Sequence, residues 1–425
     1  MKICIYEDTG VANLAPLSLT RAAFDLRCGT GTLLDRHKRY FAGADVGVQV
    51  RPALLDLARL AHPDLPVNNP KWLLGGEDVV FVNARWLAPV DAPESFKCCG
   101  VGVVGDQVAW SVVRAVDLDA VSDLLARPWE CKEGSACVRP AGGAIIDYPW
   151  HLVERNGEAI REEFALWSQR ESAGDLSGVT VIGSVDQVYV EPSARVEPQV
   201  VLDVTNGPIV IAAGAVVQAF SRVEGPCFIG PQSQVLAAKV RGGTTIGKSC
   251  RVGGEIEASI LHGFVNKYHE GFLGHSYVGA WVNFGAGTQV SDLRNDYGPI
   301  SVFYNGQKYE TGLIKVGAYL GDFTRTSIGA LLNTGTVVGP FGHLLANGGL
   351  LSRSLPPFCQ VEHGRLQERS DLRLMFDAAA AAVGRREREW TETHAEFFFQ
   401  LYVQTEGERR KAIRESEQRR MRRVV

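Results

Sequence analysis

The chain has 425 residues, with 44 Lys and Arg against 48 Asp and Glu, a formal net charge of -4. No global positive field is present to attract nucleic acid. Hydrophobic residues make up 45% and charged residues 22%, a globular composition with ample core material for two or three domains at roughly 100–200 residues each.

The opening MKICIYEDTG lacks the apolar core of a signal peptide. No run of ~18 apolar residues suggests a membrane span. The nine cysteines form no CxxC pair, so the expectation is reduced thiols in a cytoplasmic protein.

Residues 1–170 mix β-rich runs with helical patterns. KICIY reads as the opening strand and DVVFVNARWL contains another, while Leu33–Arg39 and Pro52–Ala61 read as helices. Alternation of this kind predicts an α/β domain with a largely parallel sheet. Its last segment, YPWHLVERNGEAIREEFALW, has helical spacing and leads into the next domain.

Residues 178–363 carry a six-residue period. An aliphatic residue followed by a small or acidic one recurs at Val190, Val196, Ile211, Val217, Val223, Ile229, Val235 and Ile246. The pattern resumes at Leu273, Val278, Phe284, Leu320, Ile328 and Val338. A period of six matches neither the helix nor simple strand alternation. It fits a left-handed parallel β-helix whose three flat sides each use about six residues, with the aliphatic residue inward. Each coil buries its apolar side chain only against its neighbours, so many coils are needed. The repeat pauses at residues 292–314, which reads as a loop leaving the coil. Residues 364–425 read as a charged, Ala-rich helical tail ending in an Arg cluster.

Repeats are scaffold, and chemistry sits where they are interrupted. The interruption places Glu255, Lys267, His269 and Asn283 within about two coils. Acetylating an amine needs a base that takes a proton as nitrogen attacks a thioester. Histidine suits this near neutral pH, and a nearby carboxylate orients it. Asn283 suits a sugar hydroxyl or the developing oxyanion. Another arrangement of His262, His269 and His275 would be zinc ligation. Ligands must converge at ~2 Å from one ion, and spacings of seven and six put the three on successive faces.

Glu255 and the run NKYHEGFLGHSYVGAWVNFGAGT from Asn266 resemble the acetyltransferase half of the bifunctional enzymes that make UDP-N-acetylglucosamine. SDLRNDYG from Ser291 places the chain nearest a divergent branch of that family. The resemblance implies His269 as catalytic base, Glu255 as its support and Asn283 as a substrate contact. It also implies acetyl-CoA as cosubstrate, near Gly285, Ala286, Gly287 and Asp322, and a homotrimer with sites shared between subunits. Two positions depart from the family. Glu257 stands where a lysine is usual, and Phe272 where a tyrosine is usual, so the acceptor pocket is altered. Lys267 and Arg294 are candidates for the missing positive charge.

NLAPLSLTRAAFDLRCGTGTLLDR resembles a sugar nucleotidyltransferase, following the loop EDTGVANL. The resemblance implies nucleotide contacts at Gly10, Asn13, Arg21, Arg27, Asn83 and Arg85. Mg²⁺ is expected for nucleotidyl transfer. Again the chain departs. Asn13 replaces a phosphate-binding arginine, and a family lysine is replaced near Ala23. The metal-binding strand end reads Asn83-Ala84-Arg85, and Trp150-His151 replaces Trp-Asp. Asp147 is the candidate substitute ligand. Three readings of this domain stay open: an active nucleotidyltransferase, a sugar-nucleotide binder, or a structural cap.

The combined expectation is a sugar-nucleotide biosynthesis protein. Its β-helix transfers acetyl from acetyl-CoA to an amino sugar phosphate or nucleotide. The competing class is a trimeric, non-catalytic scaffold or regulator that binds sugar nucleotides.

Overall fold

The structure is a computed structural model describing residues 2–89, 100–120, 137–170, 174–304 and 306–421. It divides into two compact units. The first is Met1–Arg27 with Gly31–Tyr148, and the second is Cys28–Thr30 with Pro149–Val425.

In the first unit six strands form one sheet: β1 (Lys2–Tyr6), β2 (Asp45–Gln49), β3 (Val79–Asn83), β4 (Gly100–Val104), β5 (Gln107–Val113) and β6 (Cys137–Pro140), in the order β2-β1-β3-β5-β4-β6. β1 pairs in parallel with both β2 and β3, and β4 with β6. β5 is antiparallel to both of its neighbours, so the sheet is mixed rather than largely parallel. Fully buried β1 and β3 read as continuous apolar runs because both of their faces are covered. The expected helices are present as α1 (Leu33–Tyr40) and α2 (Leu55–Ala61). Thr32 and Asp35 cap α1 reciprocally, which fixes its start.

Helix α3 (Pro149–Ser168) packs in the second unit. Ile160 and Phe164 on α3 pack with Tyr189, Val210 and Phe228 of the coils. Its Asn156 and Glu163 accept from the backbone N–H groups of Gly29 and Thr30, both at 2.8 Å. These bonds explain why Cys28–Thr30 joins this unit.

Most of the rest of the second unit is the left-handed parallel β-helix. Side one carries eight strands from Thr180–Ile182 to Leu331–Leu332, and side two carries nine from Val188–Val190 to Ser354–Leu355. Side three begins with five strands, Arg195–Val196 to Asn266–Lys267. It continues through single bridges at Asn283 and Arg325. The aliphatic column is internal, as the six-residue period implies: Val190, Ile211, Val223, Ile246, Leu273, Leu320 and Val338 all lie in one buried core. Ile328 is the exception. It is 75% exposed on a corner, because Thr326 takes the inward slot and its hydroxyl lies 2.8 Å from that of Thr288. The excursion after Asp292 carries an antiparallel hairpin, Ser301–Tyr304 with Gln307–Glu310.

Side two turns into side three at a corner that demands φ above zero. Phe264, Trp281, Phe323, Phe341 and Phe358 hold it, with φ from 56° to 62°. A left-handed non-glycine residue costs about 1–2 kcal/mol. Stacking offsets this at ~0.5–1.5 kcal/mol per pair: Phe264–Trp281 centroids lie 4.2 Å apart and Phe323–Phe341 4.9 Å. The tail helices α4 (Leu372–Gly384) and α5 (Glu392–Gln404) seat on this ladder through Phe376, Trp390 and Phe398. Helix α6 (Glu406–Met421) completes the tail, with buried Arg409 bonded to Glu368 at 2.8 Å. No helix among the described residues is long and apolar enough to cross a membrane.

Candidate active site

The corner from side three to side one holds the candidate residues in greatest number. His269 lies between the strands Asn266–Lys267 and Phe272–Gly274, and its ring meets Tyr268 edge-on at 5.2 Å. Both side chains are exposed. One rung further, Gly285–Gly287 rounds the same corner, and Gly287 N–H donates to Glu270 O at 2.9 Å. Asn283 is exposed at the edge of side three, where its Oδ1 accepts from Asn266 Nδ2 at 2.7 Å. That bond leaves the Asn283 Nδ2 as its donor group on the open face.

Lys267 does not face this surface. Strand alternation turns Asn266 outward and Lys267 inward, in register with Val252. It occupies a core position and is 3% exposed. Its Nζ donates to Gly253 O at 2.7 Å and His269 O at 3.2 Å. Burial pulls its pKa down to about 8, with Glu270 opposing the shift. As a substrate contact it is therefore spent, and its bonds go to the turn that carries His269.

The expected Glu255–His269 pair is not formed. Parallel register sets Glu255 beside Phe272, three residues past the histidine. Its carboxylate accepts instead from Arg241 Nε at 2.9 Å. Arg294 is also elsewhere, half-buried in the excursion and paired with Asp296. Asp322 sits on the aromatic corner, 6% exposed, accepting from Ala280 N–H at 2.7 Å. It braces a turn apart from Gly285–Gly287.

Lys315 escaped the sequence reading, and His275 entered it only in the zinc arrangement. Lys315, at the end of the excursion, donates to Glu257 at 2.8 Å. A positive charge thus reaches the position where the family lysine is replaced. His275 lies on the corner from side one to side two, and its Nδ1 is 2.7 Å from Asp292 Oδ2. The imidazole thus has a carboxylate partner. A Cβ at Gly274 would lie 2.3 Å from that carboxylate oxygen, so the glycine makes room for the pair. The same corner anchors the excursion: Val316 N–H donates to Asp292 O and Gly317 N–H to His275 O. The GHSY step signalled a histidine there, but its partner comes from the next coil. His262 is on side two, 3.1 Å from the Tyr277 hydroxyl, so the three histidines occupy separate places.

In the first unit two of the expected nucleotide residues, Gly10 and Asn83, lie against Arg85. The Arg85 guanidinium is 3% exposed and uses all five N–H groups. Nε donates to Asp8 Oδ1 at 2.7 Å and Nη2 to Asp8 Oδ2 at 2.5 Å. Nη1 donates to Asp147 at 2.7 Å and Ile146 O at 3.2 Å, and Nη2 also to Gln107 Oε1 at 2.9 Å. Burial works against the charge, but Asp8 and Asp147 outweigh it and hold the pKa above the ordinary arginine value. Asn83 accepts from Arg85 N–H and donates to Asp8, both at 2.9 Å. Gly10 packs on the guanidinium: a Cβ there would lie 2.4 Å from its central carbon. Asn13 is exposed, whereas Arg21 and Arg27 are half-buried. These residues do not fit Mg²⁺. Asp147, the expected substitute ligand, is instead an acceptor for Arg85, and a cation at ~2.1 Å from these carboxylates would collide with it.

Comparison with known proteins accords with this organisation. Residues 3–172 match the family model for a sugar nucleotidyl transferase, a stretch that includes α3. The bifunctional protein GlmU of Nitratidesulfovibrio vulgaris is 26% identical over 231 residues, 48% of this chain and 46% of that protein. A bifunctional sugar-1-phosphate nucleotidylyltransferase/acetyltransferase of Sulfurisphaera tokodaii is 29% identical over 101 residues, 24% of this chain and 25% of that protein.

Over as much as about half of its length the chain is similar to these bifunctional proteins. It spans about half the length of the first of them. Among solved structures, PerB from Caulobacter crescentus with CoA and GDP-perosamine is 17% identical, covering 56% of this chain and 86% of that one. Its TM-score is 0.18, too low to inform the site.

Proposed function

We propose that this protein is a transferase whose β-helix carries acetyl from acetyl-CoA to the amine of a sugar phosphate or sugar nucleotide. The observation that carries the reading is the grouping of His269, Asn283 and Gly285–Gly287 on one corner. His269 takes the proton from the attacking nitrogen, whose lone pair closes on the thioester carbonyl. The tetrahedral intermediate then expels CoA thiolate, which leaves with a proton. Asn283 Nδ2 donates to the developing oxyanion or to a sugar hydroxyl. Lys267 holds the turn from within, and Glu255 with Arg241 flanks the open face beside Phe272.

The protein would work as a cytoplasmic homotrimer. Phe220, Tyr268 and Ile328 support this, because the His269 corner exposes them by 74%, 43% and 75%. The first unit would bind the sugar nucleotide. The test is a melt with added acetyl-CoA. A ligand at ~100-fold above its Kd stabilises the native state by about 2.7 kcal/mol. Stabilisation by nucleotides alone would instead favour the non-catalytic binder.

The 2.7 Å bond between His275 and Asp292 favours a second reading, in which His275 is the base and Asp292 its orienter. The two histidines lie on different corners, so single substitutions separate the readings.

A further inference from the structure

Asp8 and Asp147 direct two carboxylates at one point in the first unit. Two carboxylates facing a common point are what a hard divalent cation takes as ligands. Here the point is filled by Arg85, whose five donors meet five oxygen acceptors. A planar, permanently charged fork is suited to this, since it cannot shed its proton. Gly10 seals the guanidinium from above, and Asn83 fixes both Asp8 and the Arg85 backbone. Counting only Asp8, Asp147 and Arg85, two negative charges meet one positive charge. A nucleoside triphosphate therefore finds neither a free cation nor a spare N–H on this arginine.

We propose that Arg85 is a resident cation occupying a latent divalent-metal site between Asp8 and Asp147, so that the first unit works without metal. Removing the guanidinium while keeping the carboxylates should create the site. This separates the unit from metal-dependent nucleotidyl transfer and leaves binding as its role. It stands independently of the acetyl-transfer reading.

The test is Mn²⁺ uptake by the full chain, read by the loss of the free-ion electron paramagnetic resonance signal. Wild type and Asp8→Asn should show the same uptake. Arg85→Met, shown to be folded by circular dichroism, should take up an additional equivalent that Arg85→Met/Asp8→Asn loses. Uptake by wild type that Asp8→Asn abolishes would overturn the proposal. So would a folded Arg85→Met that gains none. If Arg85→Met does not fold, the comparison of wild type with Asp8→Asn decides alone.

Discussion

Lys267 lies inside the coil and donates to the carbonyl of His269, two residues further along the chain. The bond links a core position directly to the candidate catalytic corner. A charged amine there is costly: moving its pKa from 10.5 to about 8 corresponds to roughly 3 kcal/mol against folding at neutral pH. Lys267→Met should therefore leave stability unchanged or raise it, since apolar replacement of a buried charge is often neutral or stabilising. It should lower turnover, because the His269 turn loses its internal brace. Urea unfolding and CoA release measured on the same sample check both halves.

The same lysine gives a pH signature. Its folded pKa lies below its unfolded value, so between about pH 8 and 10.5 the unfolded chain holds more protons. Stability contributed by this group thus rises with pH through that window. The stability difference between wild type and Lys267→Met should shift toward wild type from pH 7.5 to pH 10. A pH-independent difference would show that the amine is not desolvated.

Gly10→Ala places a methyl group 2.4 Å from the Arg85 guanidinium carbon. A freely moving arginine would swing aside, but five hydrogen bonds hold this one. Overpacking should cost about 1–3 kcal/mol, seen as a lowered midpoint in urea.

Breaking the His275–Asp292 pair should loosen the excursion. Asp292→Asn removes a bond between groups that are 20% and 10% exposed, worth about 1.5–3 kcal/mol if charged. The amides of Val316 and Gly317, which donate to Asp292 O and His275 O, should exchange hydrogen faster. Protection unchanged at both would mean that the backbone alone holds the root of the excursion.

Phe323 stacks on Trp281 and Phe341 and meets Trp390 and Phe398 edge-on. Phe323→Ala should cost about 3–5 kcal/mol and expose α4 and α5 to hydrogen exchange before the rest of the coil.

The β-helix was legible because its inward residues recur along the chain, one side at a time. Ile328 shows the limit of that pattern: Ile-Gly also describes a corner, and only the inward packing of Thr326 distinguishes the two. Lys267 was legible in principle. It follows outward Asn266 in the phase where Val252 follows Arg251, so a lysine stands where an aliphatic residue is due. The Arg85 cluster was not legible. Its partners Asp8, Gln107 and Asp147 lie 77, 22 and 62 residues away and meet only through the folded sheet. The partner of His275 was hidden likewise, since Asp292 is 17 residues on, a whole coil later. Glu255 failed as an orienter because parallel register, invisible in one sequence, set it beside Phe272.

The measurement that tests the central claim most directly is CoA release from acetyl-CoA with a panel of amino sugar phosphates and nucleotides, comparing wild type, His269→Ala and His275→Ala. Loss of a general base costs about 10²–10⁴-fold. The expected result is that loss in His269→Ala with an unchanged melting temperature, while His275→Ala retains most of its turnover. Full turnover in His269→Ala would contradict the assignment. If His275→Ala alone lost activity, the reaction would belong to the neighbouring corner.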